Sequence, residues 1–237
     1  MPFYYFDWTY LVLVLPAMIF AMAAQGKVST TFNKYSRVPS RIGITGAEAA
    51  RRILEVNGIY DVSVERVAGN LTDHYDPSKK VLRLSDSVYS SSSIAAVGVA
   101  AHETGHAIQH AKSYPFLSLR SLLVPMANIG SKLSMPLILL GLIFSFSSSM
   151  GNSLINLGII LFGLSVLFTI VTLPVEFNAS KRAIECIGDC KMLYDDEISG
   201  AKKVLSAAAM TYVASAAVAI ANFLRLIVIF GGRRRRD

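Results

Sequence analysis

The sequence predicts a mainly α integral membrane protein in which three to four apolar membrane helices accompany one small α+β domain. Three observations predict it. Of 237 residues, 53% are apolar and only 16% are charged, and mean hydropathy is +0.47. The apolar residues gather into long blocks, each able to cross ~30 Å of hydrocarbon at ~1.5 Å per residue. The polar stretches between them leave room for a single domain of modest size. This composition excludes a disordered charged tail and does not suit an ordinary cytosolic enzyme. A net charge of +7 and a pI near 9.5 fit membrane topology and contact with anionic lipid. No aromatic–basic motif points to nucleic acid. Two cysteines, Cys186 and Cys190, cannot build a disulfide framework.

Residues 1–25 are read as an N-terminal membrane helix, because residues 8–24 are almost uncharged and the basic start of a signal peptide is missing. Residues 26–115 form the polar domain. Thr45 and Glu48 make a capping box, Ala49, Ile53 and Leu54 continue a helical stripe, and Asn57-Gly58 ends it. Val62, Val64 and Val67 suggest a short strand, and residues 71–77 are turn-rich. Val81, Leu82 and Leu84 suggest a second strand, whose neighbours Lys79, Lys80 and Arg83 suit an exposed sheet edge. A serine run then leads into a helix starting near Ile94. Residues 116–174 predict a transmembrane helical hairpin, with spans over residues 122–146 and 154–173 and bends at Pro125 and Pro136. Residues 175–203 return to polar composition. Residues 204–237 comprise a last apolar helix and the basic tail Arg233 to Arg236.

The helix after the serine run carries His102-Glu103-Thr104-Gly105-His106, an HEXXH pattern. On a helix, His102 and His106 lie one turn apart on one face, so their imidazoles can bind a single Zn²⁺ at ~2.0–2.1 Å. Glu103 stands beside them as a general base for a water activated by the ion. The polar domain is therefore expected to be zincin-like, a short sheet with an HEXXH helix. A catalytic zinc takes three protein ligands, so one more is needed. His110 lies ~12 Å along the helix axis from His102 and is read as a polar-face residue. Glu176 follows the hairpin and Pro174. It is either the third ligand, on a helix returning from the membrane, or an ordinary acid favoured by a helix N-terminus.

These residues resemble a known family. The HEXXH segment with the distant Glu176-Phe177-Asn178-Ala179 is similar to the membrane metallopeptidases of the HtpX type and the CAAX prenyl protease, where H-E-x-G-H precedes two membrane helices and E-F-x-A-D. The closer resemblance is to the YugP-type neutral zinc metallopeptidase family. It runs through Leu71-Thr72-Asp73-His74-Tyr75-Asp76-Pro77, Leu82-Arg83-Leu84-Ser85 and the zinc helix, and covers nearly the whole chain. The resemblance implies His102, His106 and Glu176 as ligands and Glu103 as base. One departure matters: Ser180 stands where the HtpX pattern has an acid supporting a zinc-bound histidine. Asp189 and Asp195 are the candidates to replace that support.

The chemistry expected is hydrolysis of a peptide or protein substrate, membrane proteins included, with Glu103 passing a proton from water to the leaving amine. A second oxyanion donor is expected, with His74 as first candidate and Tyr212 behind it. Otherwise His74 is a turn residue beside Asp73 and Asp76. The strand at residues 81–84 either pairs with an extended substrate or is an ordinary edge. The competing reading is a non-catalytic membrane adaptor with a structural or vestigial metal site, and structural zinc usually has four protein ligands. A transporter with intramembrane histidines fits less well, because the histidines lie in the polar domain. Lys181, Arg182, Lys191, Lys202 and Lys203 place the active site of a multi-pass cell-membrane protein on the cytoplasmic side. One conflict follows: if residues 204–230 span, Arg233 to Arg236 emerge on the outer face, where they are either a topology anchor or a lipid contact. The Ala/Ser-rich residues 206–221 also suit close helix packing or an interfacial position. Cys186 and Cys190 read as reduced thiols with no further ligand beside them.

Overall fold

A computed structural model describes residues 8–144 and 149–231. The middle of the hairpin turn and Arg233 to Arg236 lie outside the described residues. The elements run α1 (Leu15–Tyr35, entered through a π turn at Tyr10–Val14), α2 (Gly46–Val56), β1 (Ser63–Val67), β2 (His74–Asp76), β3 (Val81–Ser85), α3 (Asp86–Tyr89), α4 (Ile94–Ala111), α5 (Pro115–Phe144), α6 (Ser149–Asp189) and α7 (Asp195–Gly231). The chain is mainly α with one three-stranded sheet. Among the described residues, four helices are long and apolar enough to cross a membrane: Tyr10–Tyr35, Pro115–Phe144, Met150–Asp189 and Asp195–Gly231.

The chain divides into two compact units. The first comprises Met1–Ala23, Ser118–Leu173 and Tyr212–Asp237. Within it, small residues bring α5 and α6 together. A Cβ on Gly141 would meet the Gly151 carbonyl at 2.7 Å, and one on Gly158 would meet the Ser134 carbonyl at 2.7 Å. Between apolar helices in lipid, such close backbone approach supplies the packing that water would otherwise drive. The Ser165 hydroxyl adds a hydrogen bond to the Ala127 carbonyl at 3.1 Å.

The second unit comprises Ala24–Leu117 and Pro174–Thr211. Its α2 opens with the expected capping box, Thr45 and Glu48 each satisfying the other's backbone N–H. The stripe Ala49, Ile53 and Leu54 is buried against Ala101 and Ile108 of α4, Ile187 of α6 and Leu205 of α7. A second cluster seats Leu82 and Leu84 on Ala96 and Ala100. The small residues of α4 permit this double packing, and Gly98 lies directly against Ala201.

The sheet corrects one expectation. Its order is β1-β3-β2, with β1 parallel and β2 antiparallel to β3. The strand at residues 81–85 is therefore central, and over residues 81–83 both of its edges are paired with neighbouring strands. Its burial explains this, since Val81, Leu82, Leu84 and Ser85 are all buried. Arg83, the residue that suggested an edge, reaches Asp76 at 3.4 Å and Glu65 at 3.7 Å on its two neighbours. β2 falls inside the segment read as turns.

Helix lengths differ too. α1 continues past Gly26 to Tyr35. α6 carries Pro174 in its interior, so residues 175–189 extend the hairpin helix rather than start a new one. A proline this far from a helix start costs one backbone hydrogen bond, which long membrane helices tolerate. α7 is likewise continuous from Asp195. Buried Glu197 accepts the N–H of Tyr194 at 2.9 Å and of Arg41 at 2.9 Å, closing its N-terminus.

Candidate metal centre

α4 starts where the Ser93 hydroxyl accepts the Ala96 N–H at 3.2 Å, and it holds His102 and His106 on one face. Opposite lies α6, which enters this unit at Pro174 and presents Glu176 two residues later. The two helices touch at Gly105: a Cβ there would come within 2.7 Å of the Ala179 carbonyl. Only glycine lets the HEXXH turn approach α6 this closely.

The result is convergence. His102 Nε2 lies 3.3 Å from Glu176 Oε2, and His106 Nε2 lies 3.5 Å from the same oxygen. One ligand atom from each residue fits within 4.8 Å of the others. Tetrahedral zinc with bonds of ~2.0–2.1 Å sets its ligand atoms ~3.3–3.4 Å apart, so these spacings fit that ion. Two imidazoles and a carboxylate are also one of the donor sets that hold zinc in catalytic sites. Glu176 is buried, which suits a ligand and not a solvated cap.

The remaining ring nitrogens are held. In the tautomer that frees both Nε2 atoms, His102 Nδ1–H donates to Ser180 Oγ at 3.1 Å and His106 Nδ1–H donates to Gln109 Oε1 at 3.0 Å. Gln109 is fully buried, and its amide donates to the Val175 carbonyl at 2.8 Å and to Asn178 Oδ1 at 3.0 Å. Arg182 Nε donates to that same Asn178 oxygen at 2.7 Å. Orientation of the imidazoles thus comes from Ser180 and Gln109, not from Asp189 or Asp195. Ser180 follows Glu176 by one turn of α6 and shares its face, so the residue that departs from the acidic pattern performs the support itself. Gln109 carries a signal that spacing alone could have found: it lies three residues after His106, polar and uncharged inside an apolar helix. Replacing Gln109 with Leu is expected to weaken metal affinity about 10–100-fold, read by competition with a zinc chelator.

Glu103 lies within electrostatic reach of both imidazoles, Glu176 and Asp73. Burial pushes its carboxyl above the usual range. The Glu176 and Asp73 carboxylates push the same way, and the imidazoles oppose them. Burial also works against a cation on His106, but hydrogen bonding to Glu176 and the nearby Glu103 charge outweigh it, and its pKa is raised. Asp73 is held at the end of β3, accepting the Ser85 N–H at 2.7 Å and its hydroxyl at 2.9 Å. Burial raises its carboxyl as well.

His74 is placed differently from the triad. Its Nδ1–H donates to the Thr72 carbonyl at 2.8 Å, and its Nε2 faces Arg83 Nη1 at 3.4 Å. In the neutral ring this leaves no N–H for an oxyanion. Tyr212 belongs to the first unit. His110 stays apart from the centre, its Nδ1 hydrogen-bonded with the Tyr75 hydroxyl at 2.8 Å, as its distance along the helix required. Cys186 and Cys190 are free thiols, and burial raises the pKa of Cys190.

With this geometry in view, similarity to known proteins becomes informative. Residues 10–231 match the family described as "Putative neutral zinc metallopeptidase". The chain belongs to that family. It is 49% identical over 222 residues to "Putative membrane protease YugP" of Bacillus subtilis (strain 168), an alignment covering 93% of this chain and 96% of that protein. No solved structure matches the chain. Membership implies zinc, and His102, His106 and Glu176 are the residues whose chemistry and spacing suit it.

Proposed function

We propose that the protein is a membrane-embedded zinc-dependent endopeptidase whose metal is held by His102, His106 and Glu176, with Glu103 as general base. The observation that carries this reading is the meeting of the three ligand atoms within 4.8 Å, with Glu103 beside them. A zinc ion there supplies Lewis acidity toward a peptide carbonyl and acidifies water towards a pKa of ~7. Glu103 accepts the proton of the attacking water and delivers it to the leaving amine. Burial raises the pKa of Glu103, which favours a carboxyl that takes a proton over one that stays ionised throughout. Ser180 and Gln109 keep the two Nε2 lone pairs aimed at one point.

The substrate is a peptide or protein, and the catalytic face is cytoplasmic. Supporting the latter, Lys27, Lys34, Lys181, Lys202 and Lys203 follow or precede the apolar runs in sequence, in keeping with the positive-inside tendency. Metal removal tests the activity. Purified full-length chain in detergent should cleave an unfolded protein, lose that activity on exhaustive chelation, and regain it with one equivalent of zinc. A chain that holds zinc yet cleaves no peptide bond would instead be a membrane adaptor with a structural metal.

A further inference from the structure

Away from the metal centre, α1 and α7 border a cavity of about 630 Å³. Lys27, Thr31 and Lys34 of α1 line one wall at helical spacing, and Lys202, Lys203 and Ser206 of α7 line the other. The helices meet at one end of this pair of walls, where the Tyr35 ring covers Gly200 so closely that a Cβ there would lie 2.7 Å away. Four ammonium groups thus border a single space. No carboxylate lines it, and among the described residues none of the four lysines is in a salt bridge. Four like charges around one cavity repel one another unless an anion lies between them.

Position and polarity identify the anion. Lys27 is the first charged residue after the apolar run of α1, and Lys203 is the last before the apolar run of α7. Both helices therefore place their lysines at the polar end of an apolar span, the depth of phospholipid headgroups. The helices run antiparallel in this sense, so Met210, which also lines the cavity, lies toward the apolar end, and Lys34 lies toward the polar end. A cavity with ammonium and hydroxyl groups along both walls, and with Ala207 and Met210 toward its apolar end, matches an anionic glycerophospholipid. Its phosphodiester would take the ammonium and hydroxyl donors, and its first acyl carbons would rest on Met210.

We infer that this cavity is a binding site for the headgroup of an anionic glycerophospholipid.

The test uses full-length protein in nonionic detergent and native mass spectrometry, with phosphatidylglycerol, phosphatidylcholine or inorganic phosphate added in separate arms. Retention of one phosphatidylglycerol per chain, at least tenfold above phosphatidylcholine, is expected. So is a tenfold or greater loss of that retention when Lys27, Lys34, Lys202 and Lys203 are all changed to Gln. Zinc content of the variant, unchanged from wild type, would report an intact fold. If the variant fails that check, headgroup-photoreactive phosphatidylglycerol on wild-type chain decides. Labelling confined to peptides containing residues 27–35 and 199–210 supports the site, and labelling elsewhere overturns it. Equal retention of phosphatidylcholine, or displacement of the lipid by millimolar inorganic phosphate, also overturns it, the latter in favour of a free-anion site.

Discussion

Glu103→Gln is expected to lower peptide hydrolysis by about 10²–10⁴-fold while one zinc per chain remains bound. The substitution keeps the size and shape of the side chain and removes only its capacity to take a proton. Zinc binding should survive, because Glu103 is not among the three groups whose donor atoms converge. The neutral amide also relieves repulsion from the Glu176 and Asp73 carboxylates, so the fold should be no weaker. Two readings on one preparation, turnover of an unfolded protein and zinc content by mass spectrometry, separate base from ligand. Undiminished proteolysis would mean that another group takes the proton. Lost zinc would mean that Glu103 helps hold the metal.

Gly105→Ala is expected to reduce activity at least about 10²-fold and to weaken zinc binding in parallel. Helix propensity alone predicts a gain, since alanine stabilises a helix interior by about 1 kcal/mol over glycine. Packing predicts the opposite. The new Cβ would meet the Ala179 carbonyl at 2.7 Å and its Cα at 3.2 Å, and these are backbone atoms that cannot turn aside. α4 and α6 must separate there. Glu176 lies on α6 three residues before Ala179, and Ser180 lies one after it, so separation lengthens the contacts to both imidazoles. A Gly105→Ala protein with native activity and zinc affinity would show that the helix contact does not position the centre.

Much of this was legible in the sequence. HEXXH at helical spacing placed His102, Glu103 and His106 on one turn, because local periodicity decides that. The capping box at Thr45 and Glu48 and the start of α4 were legible for the same reason. Glu176 was legible only as one of two alternatives, since its meeting with the imidazoles depends on how α6 returns beside α4. That contact turns on Gly105: a small residue marks a helix that packs closely, but not which element it packs against. The central place of β3 was hidden because Arg83 imitates an edge residue, whereas its charge is met by Glu65 and Asp76 on the flanking strands. β2 was hidden by its three-residue length among turn formers. The support of His102 by Ser180 was obscured by expecting an acid there, although a hydroxyl accepts an imidazole N–H as well.

The centre itself is open to X-ray absorption at the zinc edge, on full-length wild-type chain and on Glu176→Ala. Binding by His102, His106 and Glu176 predicts one zinc per wild-type chain, a first shell of nitrogen and oxygen alone at ~2.0–2.1 Å, and loss of the metal in the variant. Sulfur scattering at ~2.3 Å, or a variant that keeps its zinc at wild-type affinity, would contradict it.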